Sequence, residues 1–201
     1  MYKVNIQNSM ITIGETPFRK PDWVIDYYNN FPFDKIINQL ENSPLELYYH
    51  IRANNAEHEA WKEFSEYFKI IYAAGGIVKD QYGKILIIKR HGKFDLPKGK
   101  VEEFENLKEA ALREVYEECG ISTCVLVSDQ PIITYHTYTI DTHRVLKKTH
   151  WFLMKTNHEP DKLIPQTEEG ITEVFWVDPS ELKTIFTNTY PNIRDLLQQV
   201  S

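Results

Sequence analysis

Glu114, Glu117 and Glu118 lie within five residues of one another near the end of the segment GKVEEFENLKEAALREVYEECGI, Gly99–Ile121. Carboxylates crowded this way on a helix repel one another, so the pattern needs a compensating charge. With about 100° per residue and Glu114 as origin, Glu118 falls about 40° away and Glu117 about 60° to the other side. The three acids share one face over a single turn. Leu112, Val115 and Cys119 fall between about 100° and 160° and form the expected buried stripe. A solvated acidic face is the ordinary reading of such a run. Three features argue against it: no lysine stands four residues away to pair with the acids, they sit at the helix C-terminus where the macrodipole disfavours negative charge, and the apolar stripe beside them is narrow. A hard divalent cation accounts for all three, because magnesium takes one or two carboxylate oxygens together with waters and substrate phosphates. A cluster of this kind suggests more than one ion bridging the reacting oxygens.

The same stretch resembles the Nudix box. The pattern is glycine, five residues, glutamate, seven residues, Arg-Glu, an apolar residue, any residue, Glu-Glu, any residue, glycine and an apolar residue. Gly99, Glu105, Arg113, Glu114, Val115, Glu117, Glu118, Gly120 and Ile121 occupy those positions in turn. The resemblance implies hydrolysis of a P–O–P bond in a nucleoside diphosphate linked to another moiety, with metal ions neutralising phosphate oxygens and ionising a water. It implies Mg2+, with Mn2+ compatible with the same oxygen ligands. Glu114 and Glu118 become the leading metal ligands, Glu117 assists, and Lys98 lends its backbone carbonyl. Gly99, Glu105, Arg113 and Gly120 hold the box together, with Arg113 and Glu105 bracing loop against helix. The family often adds a carboxylate from a distant loop, and QTEEG offers Glu169, with Glu168 as runner-up, as ligand or general base. The catalytic set is then Glu114, Glu117, Glu118 and Glu169.

Substrate contacts are less specific. Lys98 and Lys100 flank Gly99 and are either solvated loop lysines or phosphate contacts. The Pro-Lys-Gly form at 97–99 resembles the branch that cleaves diadenosine and inositol polyphosphates. In that branch a tyrosine tends to follow the box by some seventeen residues, and Tyr138 fits. Arg90, Arg144, Lys147 and Lys148 are further cations for a polyphosphate; the last three equally suit a strand edge. Phe94 and Tyr138 are either base-stacking rings or core. His143 and His150 have no ligand-like spacing. The small-molecule substrate expected is a dinucleoside polyphosphate, with ADP-ribose, a sugar nucleotide or a nucleoside triphosphate as alternatives. A non-catalytic nucleotide-binding module is the alternative of another class, disfavoured by the completeness of the box.

The fold implied is of the α/β (α+β) class, an α/β/α sandwich around a mixed β-sheet, carried on residues 70–201. IIYAAGGIVKD and KILIIKR read as a strand pair, HGKFDLPKGK as loop and Asn106–Cys119 as helix with Gly120 as its stop. TCVLVSDQPIITYHTYTI, VLKKTHWFLMKT and ITEVFWV read as strands and TEEG as a loop. DPSELKTIF starts a helix capped near Ser180, and YPNIRDLLQQV is another. Residues 1–69 read as a small N-terminal α/β appendage with a hairpin, FDKIINQLENS as helix, LELYYHI as strand and AEHEAWKEFSEYF as helix. Three roles are open for it: covering the substrate cleft, a homodimer contact, or stabilising the fold.

Composition narrows the partners. Of 201 residues, 42% are hydrophobic and 26% charged, enough for a real core. The net charge is −6, from 23 Lys+Arg against 29 Asp+Glu, and residues 1–70 hold 7 basic against 10 acidic residues. No half is basic, which argues against duplex nucleic acid as the main partner. No apolar run reaches membrane-spanning length and no secretory pattern opens the chain. Cys119 and Cys124 imply no disulfide framework; reduced, buried thiols point to a cytoplasmic protein.

Overall fold

A computed structural model describes residues 1–157 and 162–200. They form two compact units, Met1–Ile71 with Tyr135–Lys148, and Tyr72–Thr134 with Thr149–Ser201. The first unit is therefore not confined to the N-terminal stretch. Fourteen residues from the middle of the chain join it, which no local pattern announces. Among the described residues no helix is long and apolar enough to cross a membrane.

In the first unit, β1 (Tyr2–Ile6) and β2 (Ser9–Gly14) form the expected hairpin, with Val4 opposite Ile11. The additional strand β3 (Trp23–Asp26) and β4 (Tyr48–Arg52) pair in parallel, and β4 pairs in parallel with β2. Helix α1 (Phe33–Asn42) buries Phe33, Ile36, Ile37 and Leu40, and α2 (Glu57–Ser65) buries Ala60 and Phe64. These meet Val4, Ile6, Ile11 and Ile13 in one core.

In the second unit, alternation along two strands builds two cores. The strand β5 (Lys69–Lys79) pairs antiparallel with β6 (Ile85–Arg90). Ala74, Val78, Leu86 and Ile88 point one way and Ile77, Ile85 and Ile87 the other, as a period of two requires. The segment read as loop carries two short strands, β7 (Lys93–Asp95) on β6 and β8 (Lys98–Lys100) on β5, with Leu96 and Pro97 between them. Helix α3 (Leu107–Cys119) covers the first face with Ala110, Ala111, Val115 and Cys119. After the two-residue β9 (Val125–Leu126) come β10 (Ile132–Ile140) and β11 (His143–Lys155), whose ranges span both units. The stretch around Pro131 leaves the strand read there shorter than expected, since proline has no donor for a ladder. The strand β12 (Ile171–Val177) pairs antiparallel with β6. The second face is covered by α4 (Leu182–Phe186) and α5 (Pro191–Val200) through Leu182, Ile185, Ile193, Leu196 and Leu197. Asp178, not Ser180, caps the turn that leads into α4, accepting from the Ser180 N–H at 2.9 Å. The result is a mixed α and β unit with helices on both faces of its sheet.

Candidate active site

Helix α3 is closed at both ends by its own sequence. The Asn106 side chain accepts from the N–H groups of Lys108 (3.1 Å) and Glu109 (3.0 Å), and Glu109 reaches back to the Asn106 N–H. That capping box satisfies donors the first turn would leave orphaned. Gly120 ends the helix at φ +76°, a left-handed conformation that favours glycine. Beyond it, Ile164 N–H donates to the Cys119 carbonyl (3.0 Å) and Gln166 N–H to the Glu118 carbonyl (3.3 Å). The carbonyls that make the helix end hostile to acids are therefore partly neutralised. The strip of chain that does this runs on into Glu169, in the 3-10 turn Thr167–Glu169.

Arg113, not a lysine, supplies the cation that pairs with the acids. It stands four residues before Glu117, and its Nη1 donates to Glu117 Oε2 and to Glu114 Oε1, both at 2.8 Å. Its other edge forks onto Glu105, with Nε to Oε1 at 2.7 Å and Nη2 to Oε2 at 2.9 Å, and Nη2 also donates to the Lys100 carbonyl at 3.0 Å. The guanidinium pulls Glu105 below the usual carboxylate range, chiefly by hydrogen bonding. One planar cation thus ties the box loop to the helix and to two of its three acids, a geometry the forked guanidinium suits and an ammonium does not.

The acids differ in environment. Glu117 is exposed, whereas Glu114 is 6% and Glu118 0% exposed. Glu114 lies flat against Gly99, where a Cβ would come within 2.1 Å of its Oε1. Burial raises the Glu114 carboxyl, with Arg113 opposing. Glu118 is pushed up to about 7, by burial first, against the pull of Lys98 and Arg90. Its Oε2 accepts from the Lys98 N–H at 2.8 Å, while its Oε1 is buried without a hydrogen bond. The nearest cation to Oε1 is Arg90 Nη1, at 3.5 Å. Arg90 is also bound to Glu169, Nη2 to Oε2 at 2.8 Å and Nε to the carbonyl at 3.1 Å. Glu169 contributes in turn to raising Glu114. Glu114, Glu118, Glu169 and Arg90 therefore form one charged cluster built from α3, the 166–170 turn and the end of β6. Gly170 then packs on the His91 ring, whose Cε1 would lie 2.4 Å from a Cβ there.

Other residues singled out in the sequence have different surroundings. The Lys98 side chain does not reach toward solvent; it is buried in an ion pair with Asp95, which also accepts from the Leu96 N–H. Asp95 escaped the sequence reading, although an acid three residues before a lysine in DLPK was the available signal. Lys100 is exposed. Phe94 packs edge-on against Phe175 at 5.9 Å, as part of the core under α4 and α5. Tyr138 belongs to the first unit and stacks on His136 at 5.8 Å. Arg144 also lies in the first unit, where Glu41 and Asn38 hold its guanidinium. Glu168 is exposed.

The donor set suits a hard divalent cation. A fully buried carboxylate with one oxygen lacking a hydrogen bond costs stability unless something compensates it. Among the described residues no three His, Cys, Asp or Glu side chains form a ready-made metal cage.

A family model described as the NUDIX domain matches residues 69–200. A crystallised binary complex of an Ap4A hydrolase from C. elegans is similar, with 22% identity over 64% of this chain and 93% of that one, at TM-score 0.51. A MutT protein from Methanosarcina mazei matches at 23% identity over 66% and 94%, with TM-score 0.49. The E. coli dihydroneopterin triphosphate pyrophosphohydrolase matches at 19% identity over 65% and 97%, also at TM-score 0.49.

Proposed function

Because the chain belongs to the Nudix family and is a phosphoanhydride hydrolase, we propose that it cleaves the P–O–P bond of a dinucleoside polyphosphate in a magnesium-dependent reaction. The observation that carries the metal-dependent part is Glu118, a fully buried carboxylate with one oxygen left without a hydrogen bond beside an arginine. The dinucleoside part rests on the Pro97-Lys98-Gly99 form of the box. The Ap4A hydrolase likeness supports the fold.

Glu118 and Glu114 would hold the ion, with Glu117 and the Lys98 carbonyl as further oxygen ligands. When bound, such an ion neutralises phosphate oxygens and lowers the pKa of a water. Arg90 holds Glu169 Oε2 at 2.8 Å, and Glu169 would accept the proton of the attacking water at a carboxylate oxygen. Arg113 keeps Glu105, Glu114 and Glu117 in fixed relation and holds the box loop through the Lys100 carbonyl. Lys100, exposed beside Gly99, is the lysine left to meet phosphate oxygens, because Lys98 is held by Asp95. Residues 1–69, which share a compact unit with Tyr135–Lys148, are proposed as an accessory region to the hydrolase domain carried by the rest of 70–201, and the protein as cytoplasmic.

The test is a chromatographic product assay with magnesium, wild type beside Glu118→Gln, on diadenosine polyphosphates, ADP-ribose and nucleoside triphosphates. Turnover of the diadenosine compounds by wild type alone is the expected result. Turnover only of ADP-ribose or of a triphosphate moves the substrate to that class. Tight nucleotide binding without turnover of any compound would favour a regulatory binding module.

A further inference from the structure

Arg90 ends β6, and its backbone lies opposite Ile171 of β12 and Lys93 of β7. Paired on both sides, it has little freedom to shift its main chain. Its guanidinium meets two carboxylates from different elements in two different ways. Toward Glu169 it makes two hydrogen bonds, at 2.8 and 3.1 Å. Toward Glu118 it makes none: Nη1 stands 3.5 Å from an Oε1 that lacks any hydrogen bond. The first contact is directional and the second only Coulombic.

We propose that Arg90 is a built-in counter-cation of the metal site. In the metal-free protein it stands in for a divalent ion at Glu118, and an ion binding there has to displace it. This rests on the reading of Glu118 as a metal ligand. Two like charges cannot share one buried carboxylate oxygen without repulsion, and that repulsion is large where water is excluded. Withdrawal of Arg90 from Glu118 breaks no hydrogen bond, so the guanidinium can yield there while keeping Glu169. Arg90 is thus a positioning residue with two effects. It stabilises a buried carboxylate whose Oε1 has no hydrogen bond before metal arrives, and it lowers metal affinity by competing for it.

Mn2+ binding to the full-length protein, followed by electron paramagnetic resonance at pH 8.5 without substrate, separates competition from bracing. Arg90→Gln is expected to tighten Mn2+ binding roughly tenfold, the effect of removing one nearby charge at a partly screened site. Arg90→Lys, which keeps the charge, is expected to stay within about threefold of wild type. Lys89→Gln is the control for net charge, because Lys89 pairs with Glu173 and not with this cluster; it is expected to leave affinity unchanged. Equal or weaker binding by Arg90→Gln would overturn the proposal, since a mere brace loses affinity when removed. An equal gain in Lys89→Gln would overturn it as well, by reducing the effect to overall charge. If wild type binds no Mn2+, or Glu118→Gln binds as well as wild type, the metal-site reading itself falls, and the inference with it.

Discussion

Gly99 and Glu114 are in direct contact: the carboxylate of the helix residue lies on the Cα of the loop residue, where a Cβ would sit 2.1 Å from Oε1. The glycine that opens the box is thus required by what lies over it, and the space it leaves is filled by a proposed metal ligand.

Gly99→Ala is therefore expected to displace Glu114 while the fold survives. A shift of about 1 Å at a reacting centre costs on the order of 100-fold in turnover. Circular dichroism that matches wild type, combined with such a loss in kcat/KM, would bear this out; full activity would refute it.

Glu118→Gln is expected to abolish turnover and to stabilise the metal-free protein at pH 8. Helical spacing sets this position apart from the stripe of Leu112, Val115 and Cys119, yet its side chain is fully buried. Its carboxyl is raised to about 7, above the ordinary value, so the protonated form stabilises the fold. That contribution is complete below the unfolded pKa and is lost as pH rises through about 7, amounting to on the order of 3 kcal/mol. Lys98, Arg90 and Glu114 are the charged groups that face it. Thermal melts of metal-free protein from pH 5 to pH 8 should fall for wild type and stay flatter for the variant.

Metal binding should release protons in the same range. An ion that binds at Glu118 needs the carboxylate, so near pH 6 about one proton should leave per ion, and by pH 8.5 almost none. Calorimetric titration in buffers of different ionisation enthalpy measures that number. A proton count independent of pH would mean that Glu118 is not the site of binding.

Arg113→Lys is expected to lose roughly 1–3 kcal/mol of stability, because an ammonium cannot fork onto Glu105 while also reaching Lys100, Glu114 and Glu117. Denaturant melts give the stability change. Turnover should fall as well, since Glu114 and Glu117 lose their common partner. A variant as stable and as active as wild type would show the brace to be incidental.

The helix that carries the acids could be read residue by residue, because its signals are local. Asn106 with Glu109 marks its start and Gly120 its stop, and Arg113 with Glu105 sits eight residues apart across one bend. What escaped depends on the chain returning from far away. Helical spacing puts Glu114 and Glu118 on a common face, but it does not show β8 lying against them, with Gly99 under Glu114 and the Lys98 N–H on Glu118. The commitment of Lys98 to Asp95 required the two short strands around Leu96-Pro97, which are too brief to show a period. The pairing of β1 with Tyr135–Thr137 joins residues some 130 apart in the chain, beyond any pattern within a window.

The buried pair of Asp95 and Lys98 carries a consequence for how such a sequence can drift. Either residue alone would leave an unmatched charge inside the protein, which is strongly destabilising, whereas replacing both with apolar residues of similar size need not be. The two positions are thus expected to change together or not at all, and a lineage that exchanges the lysine for a neutral residue should be found to have surrendered the aspartate as well.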